Sequence, residues 1–352
     1  MIYSGSYDKV VDPTLPMDSI PHWFHGTQLN FAENILYSAS PTDHSSHSTQ
    51  HKEDTKIALT EVREGNTEVR HLSWGELRRR VGLLANAMRA HGVKKGDRVA
   101  VVASTSFDTF IAFMAVVSLG GLFSSSSTDM GTKGILERLL QIKPAYVFVD
   151  DWTIYNGKTI DLRPKIRDIV QGMEGVQEFK GVVAQPRFPG KPADLEGLPR
   201  TVTLGAFLEA AKGSTVLEFE RVAFRDPFLI VYSSGTTGVP KCIVHSTGGV
   251  LVSVIKEGLH HETGPDNVVL QYTTVGTPLL ETEQPLTEPD RLDHVPRLSP
   301  MLPLRCPIRP LRWLTLHAVS ANLPLHPRAA ASNRFRDLTT LSPGTPKTRH
   351  RP

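Results

Sequence analysis

Cysteine is almost missing from this chain. Its 352 residues contain two, Cys242 and Cys306, too few for a disulfide framework, so a reducing compartment is expected. A long apolar run is missing as well. The most apolar stretch, residues 110–123, is 14 residues long, whereas a helix needs about 20 to cross a bilayer. The N-terminus, Met1-Ile2-Tyr3-Ser4-Gly5, offers neither the basic region nor the apolar region of a secretory signal, and the cytosol is the expected location. Strong charge of either sign is also absent. Lys and Arg number 39 against 36 Asp and Glu, a net charge of +3, which leaves out the broad basic field of a nucleic-acid or anionic-membrane binder. With 39% apolar and 21% charged residues, collagen-like, coiled-coil and wholly disordered chains are excluded too.

One absence is local. Residues 277–352 hold a single glycine of the chain's 27, Gly344, and no tyrosine, yet 13 of the 26 prolines. That stretch carries a net charge of +5, against −2 for residues 1–276. No strand or helix period runs through it, and it is expected to be irregular. Two readings are open. It is a disordered, basic, proline-rich tail with a partner, or it is translated intron or shifted frame after a genuine exon end.

Residues 1–40 are mixed and aromatic, with Pro13, Pro16 and Pro21 preventing long regular elements. Within them, residues 23–36 read as a docking segment ending in a short helix. Residues 42–52, a Ser/His/Thr run, read as an exposed loop. His44, His47 and His51 sit there at i, i+3 and i+7, but no acid or thiol signature of a metal site accompanies them.

An α/β pattern follows. Residues 56–62 and 68–72 form an expected hairpin around Glu64-Gly65-Asn66. Ser73-Trp74-Gly75-Glu76 fits a capping box, and Leu77, Val81, Leu84 and Met88 mark one face of the helix after it, which Gly92 closes. A continuously apolar strand is expected over 98–103, a helix over 108–119 with Phe110, Met114 and Val117 on one face, a helix over 132–142 and a strand over 145–149. Residues 181–200, rich in Pro, Gly and Lys, read as a linker, before a helix at 204–211 and a strand at 227–231. Strands and helices alternating at this spacing imply right-handed crossovers and a parallel or mixed sheet with flanking helices.

The last strand feeds Tyr232-Ser233-Ser234-Gly235-Thr236-Thr237-Gly238-Val239-Pro240-Lys241. Four hydroxyls, two glycines, backbone N–H groups and one cation suit a phosphate polyanion: glycine permits close approach, N–H and O–H donate, and lysine neutralises. The order is not that of a Walker A loop, and Pro240 has no N–H to donate.

This stretch resembles the ATP-phosphate signature of the AMP-forming acyl-CoA synthetases, the adenylate-forming superfamily. Trp23-Phe24 with Leu29-Asn30-Phe31-Ala32-Glu33-Asn34 is similar to the N-terminal segment of that superfamily's acetyl-CoA-synthetase-like branch, as is Gly120-Gly121-Leu122-Phe123 through Gly131. Cys242, the run Cys242-Ile243-Val244-His245-Ser246-Thr247-Gly248-Gly249, and Gln271-Tyr272-Thr273-Thr274-Val275-Gly276 resemble the acetoacetate-activating members. The likeness covers residues 3–276. Acetate- or propionate-activating members of the same branch are the alternative.

The resemblance implies the following. The fold is part of the N-terminal domain of the adenylate-forming fold. A docking segment occupies 1–55, a partial AMP-binding domain 56–276, and a non-homologous tail 277–352. The reaction is attack of the acetoacetate carboxylate on the α-phosphate of ATP, releasing pyrophosphate, then displacement of AMP by the thiol of coenzyme A. ATP, Mg²⁺ and coenzyme A are therefore the expected cofactors and partners. Ser233, Ser234, Gly235, Thr236, Thr237, Gly238 and Lys241 fall on the motif that holds the phosphates. Thr236 or Thr237 is expected to touch the phosphate–Mg²⁺ cluster, and Lys241 to act as a point charge or as a loop anchor. His245 either reaches the site or is a satisfied histidine at a strand's end. Cys242 is expected to be a small packed residue. Asn156-Gly157-Lys158 lies where acetate-activating relatives carry a basic glycine stretch near coenzyme A. The acyl-pocket tryptophan, the adenine and ribose segments and the C-terminal adenylation lysine of the family have no counterpart after Gly276, and residues are expected to precede Tyr3. An incomplete, inactive chain is the resulting expectation, with a truncated isoform that binds nucleotide weakly, or pairs with a full-length enzyme, as the alternative.

Overall fold

The computed structural model describes residues 1–271 and 315–316, apart from residues 20, 64–67, 189, 234–238 and 266. A short helix α1 (Phe31–Leu36) follows the aromatic N-terminal segment, its N-terminus capped by Asn30. The expected hairpin is β1 (Ile57–Val62) against β2 (Val69–Ser73), antiparallel; its turn lies outside the described residues. Helix α2 (Trp74–Ala90) starts on the Ser73 hydroxyl, which accepts from the Glu76 N–H at 3.2 Å. The other half of the capping box is not made. The Glu76 carboxylate accepts from Arg79 and Arg80 instead, two (i, i+3/i+4) guanidiniums that outcompete one backbone N–H. Leu77, Val81, Leu84 and Met88 are all buried, and Gly92 closes the helix at φ +75°, where a Cβ is strained.

The remaining elements are β3 (Arg98–Val102), α3 (Phe107–Ser118), β4 (Leu122–Ser126), α4 (Thr132–Ile142), β5 (Tyr146–Asp150), the hairpin β6 (Trp152–Tyr155) and β7 (Lys158–Asp161), α5 (Arg163–Gly172), β8 (Gly181–Gln185), β9 (Thr201–Thr203), α6 (Leu204–Glu209), β10 (Pro227–Ser233), β11 (Lys241–Ser246) and α7 (Thr247–His260). Seven strands form one sheet in the order β9-β8-β5-β3-β4-β10-β11. All neighbours are parallel except β10 and β11. This is the mixed α/β sheet with flanking helices that the alternation implied. Far from the sheet's order, Thr315–Leu316 pairs in parallel with Leu270–Gln271; the rest of the proline-rich stretch lies outside the described residues.

Strand period divides the core in two. Val99, Val101, Phe148, Val183 and Leu229 face α1, α2, α3 and α7. Their neighbours Ala100, Val102, Val147, Val149, Val182, Ala184 and Ile230 face α4 and α5. Both faces are buried, which is why these strands are apolar throughout. The region 181–200, expected to be a linker, begins with β8, a fully buried strand between β5 and β9. The prolines behind it made the whole segment look like a connection.

The expected exposed loop at 42–52 is mostly exposed, but Lys52 is only 3% accessible. Two of the three histidines there are used in packing. His47 stacks on Tyr37 and its Nδ1 lies 3.2 Å from Glu33, and His44 stacks on Tyr3. Among the described residues no group of three or more His, Cys, Asp or Glu gathers as metal ligands. Nor is any described helix long and apolar enough to cross a membrane.

The carboxyl end of the parallel strands carries a buried acid. Asp150, last in β5, accepts from the N–H and hydroxyl of Ser104 at 2.8 and 2.5 Å. Burial raises its carboxyl from 3.8 to about 6, against the opposing pull of Ser104 and Arg63. Between those two values the native state binds the proton and the unfolded state does not, so stability falls as pH rises from about 4 to 6 and is level above. Relative to Asp150→Asn, the wild-type chain is expected to lose roughly 3 kcal/mol over that window. Urea unfolding of both proteins from pH 4 to 7 measures it, and parallel curves would refute it.

Candidate functional site

The phosphate-type loop grows from the sheet's carboxyl edge. Phe228, Leu229 and Ile230 bury the body of β10 in the core, and the strand surfaces only at its end. Tyr232 pairs with Cys242 and Ser233 with Lys241 across the antiparallel β10–β11 ladder. The loop is thus a hairpin loop with Ser233 and Lys241 at its mouth. In an open α/β sheet this carboxyl edge is where ligands bind.

Ser233 is half-buried, Pro240 buried and Lys241 exposed. Ser234, Gly235, Thr236, Thr237 and Gly238 lie outside the described residues. The structure therefore brings Ser233 and Lys241 together and speaks to no other expected phosphate ligand. A hydroxyl and an exposed ammonium at the mouth are a donor set that fits a polyanion.

Helix α4 lies beside this mouth. The Tyr232 hydroxyl donates to the Arg138 carbonyl at 2.9 Å, and the Arg138 guanidinium stands 5.4 Å over the Tyr232 ring. Burial pushes the Tyr232 phenol well above its ordinary range. Gln141 donates its amide to the Pro240 carbonyl at 3.1 Å. The segment leading into α4 is tied down as well: Lys165 of α5 donates to the carbonyls of Thr128 and Met130. Burial lowers the Lys165 ammonium. None of Arg138, Gln141 and Lys165 was singled out from the sequence. Arg138 and Gln141, three apart, share the polar face of an amphipathic helix, where such residues ordinarily meet only solvent.

Cys242 is exposed rather than packed. It sits on β11, the sheet's edge, with Ile243 at 41% and Val244 at 53% exposure beside it. His245 is half-buried opposite Leu229 in the same ladder. Asn156 and Gly157 form the two-residue turn between β6 and β7, at φ +50° and +71°. A turn with both residues left-handed selects Asn-Gly on conformational grounds alone.

Comparison with known proteins gives consistent relatives. The family model described as AMP-binding enzyme matches residues 46–277. The acetoacetyl-CoA synthetase of Mus musculus is 40% identical over 279 residues, which are 78% of this chain and 39% of that protein. The malonamoyl-CoA synthetase of Penicillium aethiopicum is 36% identical over 259 residues, 72% of this chain and 34% of that one. Among solved structures, the acetoacetyl-CoA synthetase from Streptomyces lividans superposes with a TM-score of 0.66 at 31% identity, over 78% of this chain and 39% of its own. The chain thus spans about two fifths of the length of the curated relatives that it matches.

Proposed function

The chain belongs to the AMP-binding enzyme family, and from that premise we propose that residues 1–276 are the ATP-phosphate-holding part of a ligase joining acetoacetate to coenzyme A. The mouth of the β10–β11 hairpin carries this reading: Ser233 and Lys241 are register partners at the carboxyl edge of a parallel sheet. Ser234, Gly235, Thr236, Thr237 and Gly238 between them supply hydroxyl and backbone N–H donors for the β- and γ-phosphates. Such donors gain most when charge moves onto the leaving pyrophosphate. Thr236 or Thr237 supplies a hydroxyl to the Mg²⁺ that arrives with the nucleotide. Lys241 stands at the mouth as a point charge.

Two relatives guide the choice of acid. Acetoacetate and malonamate, the acids their names imply, both carry a carbonyl group two bonds from the carboxylate carbon. Acetoacetate is preferred for this chain because the larger number of similar proteins are acetoacetyl-CoA synthetases. Residues 1–55 act as the docking segment of the domain formed by residues 56–276, residues 277–352 lie outside the ligase, and the protein works in the cytosol.

Relatives complete this chemistry with a chain about two and a half times as long as the matched part, since that part is 39% of their length. The 352-residue chain by itself is accordingly expected to bind MgATP without turning it over. Calorimetry should show saturable MgATP binding that Lys241→Ala weakens by about tenfold or more. No acetoacetate-dependent pyrophosphate should appear. Absence of any MgATP binding would remove the phosphate site, and acetoacetate-dependent pyrophosphate release would show the chain to be a complete ligase.

A further inference from the structure

Resting on the phosphate reading above, we propose that Gln141 and Arg138 of α4 are positioning residues that clamp the two ends of the phosphate loop and so aim Lys241. The apolar face of α4, Ile135, Leu139 and Ile142, is buried in the same core cluster as Ile230 of β10, and Tyr232 packs against that cluster. The helix is therefore fixed to the strand that carries the loop. Its other face presents Arg138 and Gln141 one turn apart, and each meets one end of the loop.

At the entry, the Tyr232 hydroxyl donates to the Arg138 carbonyl while the guanidinium covers the ring. That guanidinium is itself held, donating to the Gly134 carbonyl at 2.8 Å. At the exit, the Gln141 amide divides its two hydrogens between the Glu137 carbonyl of its own helix, at 2.9 Å, and the Pro240 carbonyl, at 3.1 Å. Proline has no N–H, so its carbonyl is the one polar backbone group through which residue 240 can be held. That carbonyl belongs to the peptide plane shared with Lys241. Fixing it fixes the direction in which the lysine leaves the strand.

Phosphate loops work by pre-aimed donors, and a loop with one loose end loses aim without losing its donors. The spacing of the clamp suits such aiming. Tyr232 and Pro240 bracket the loop, while Arg138 and Gln141 stand about one helical turn apart on α4, so each reaches a different end.

The test uses the whole 352-residue chain. Gln141→Met keeps the size and helix preference of the side chain and removes both donors; Gln141→Glu keeps its length and can only accept at neutral pH. Both are expected to accelerate amide hydrogen exchange at residues 241–243 by about fivefold and to weaken MgATP binding by about three- to tenfold. The melting temperature should stay put, because Gln141 is exposed. Tyr232→Phe should do the same at the entry end. Exchange and MgATP affinity that ignore all three substitutions would overturn the clamp while leaving the phosphate site standing. A wild-type chain that binds no MgATP would overturn both. A fall in melting temperature large enough to account for all of the faster exchange would overturn the clamp and mean that the contacts are structural only.

Discussion

Replacing Arg221 by methionine is expected to lower the unfolding free energy by about 3–5 kcal/mol. Glu33, in α1, is only 2% accessible. Its two oxygens accept from Arg221 Nε at 2.9 Å and Nη2 at 2.7 Å, a bidentate pair between residues 188 positions apart. The same guanidinium reaches the Ser45 carbonyl at 2.6 Å, and the bond to Glu33 raises it above its ordinary value. Removing the arginine strands a carboxylate that cannot reach water, with only His47 beside it. Removing the acid is milder, because Arg221 is 22% exposed and can rehydrate. Glu33→Gln should therefore cost only about 1–2 kcal/mol. The asymmetry separates this account from a simple count of lost contacts, which makes the two substitutions equal. Urea unfolding of the two variants decides between them, and a double Arg221→Met, Glu33→Met variant should recover part of the loss.

The pair also shows what a sequence can and cannot reveal here. The segment from Trp23 to Asn34 was legible through its resemblance to a family pattern, and α1 forms where expected. That Glu33 closes on a residue 188 positions later has no local signal. Helix α2 was legible because its apolar row is a local period and its cap a local spacing. The phosphate loop was legible for the same reason: hydroxyls, glycines and lysine stand next to one another in the chain. Its support was not. Gln141 and Arg138 look like any solvent-facing pair until the fold brings Pro240 and Tyr232 to them. Proline misled once: behind Gln185 it hid the buried strand β8, which only burial in the assembled sheet distinguishes from a loop.

Lys52→Met is the second large effect, expected to cost about 2–4 kcal/mol. A six-residue helix leaves its last carbonyls without intrahelical donors, and those of α1 are met by two buried cations, Lys52 and Arg78. Lys52 supplies three of them, donating from Nζ to the carbonyls of Asn34 at 3.2 Å, Ile35 at 2.7 Å and Tyr37 at 2.6 Å. Arg78 supplies the fourth, Leu36, at 2.8 Å, and also holds the Lys52 carbonyl at 2.7 Å. The two cations thus replace the missing turn of helix, at the end where the helix dipole favours positive charge. Methionine fills the space and donates nothing, so the buried acceptors lose their partner together: three while Lys52 is an ammonium, two once it is a neutral amine. Lys52→Gln keeps two N–H donors and should lose about half as much. Burial, with Arg78 nearby, pushes the Lys52 ammonium from 10.5 down to about 7. Between those values the unfolded chain binds a proton that the native chain does not, so the wild-type protein gains stability with rising pH. The gap between wild type and Lys52→Met should therefore be smallest below about pH 7 and widen toward about pH 10. Unfolding curves at about pH 6, 8 and 9.5 test both size and direction. A gap that is constant across them would mean that the ammonium stays charged throughout and that the three carbonyls, rather than burial, govern its titration.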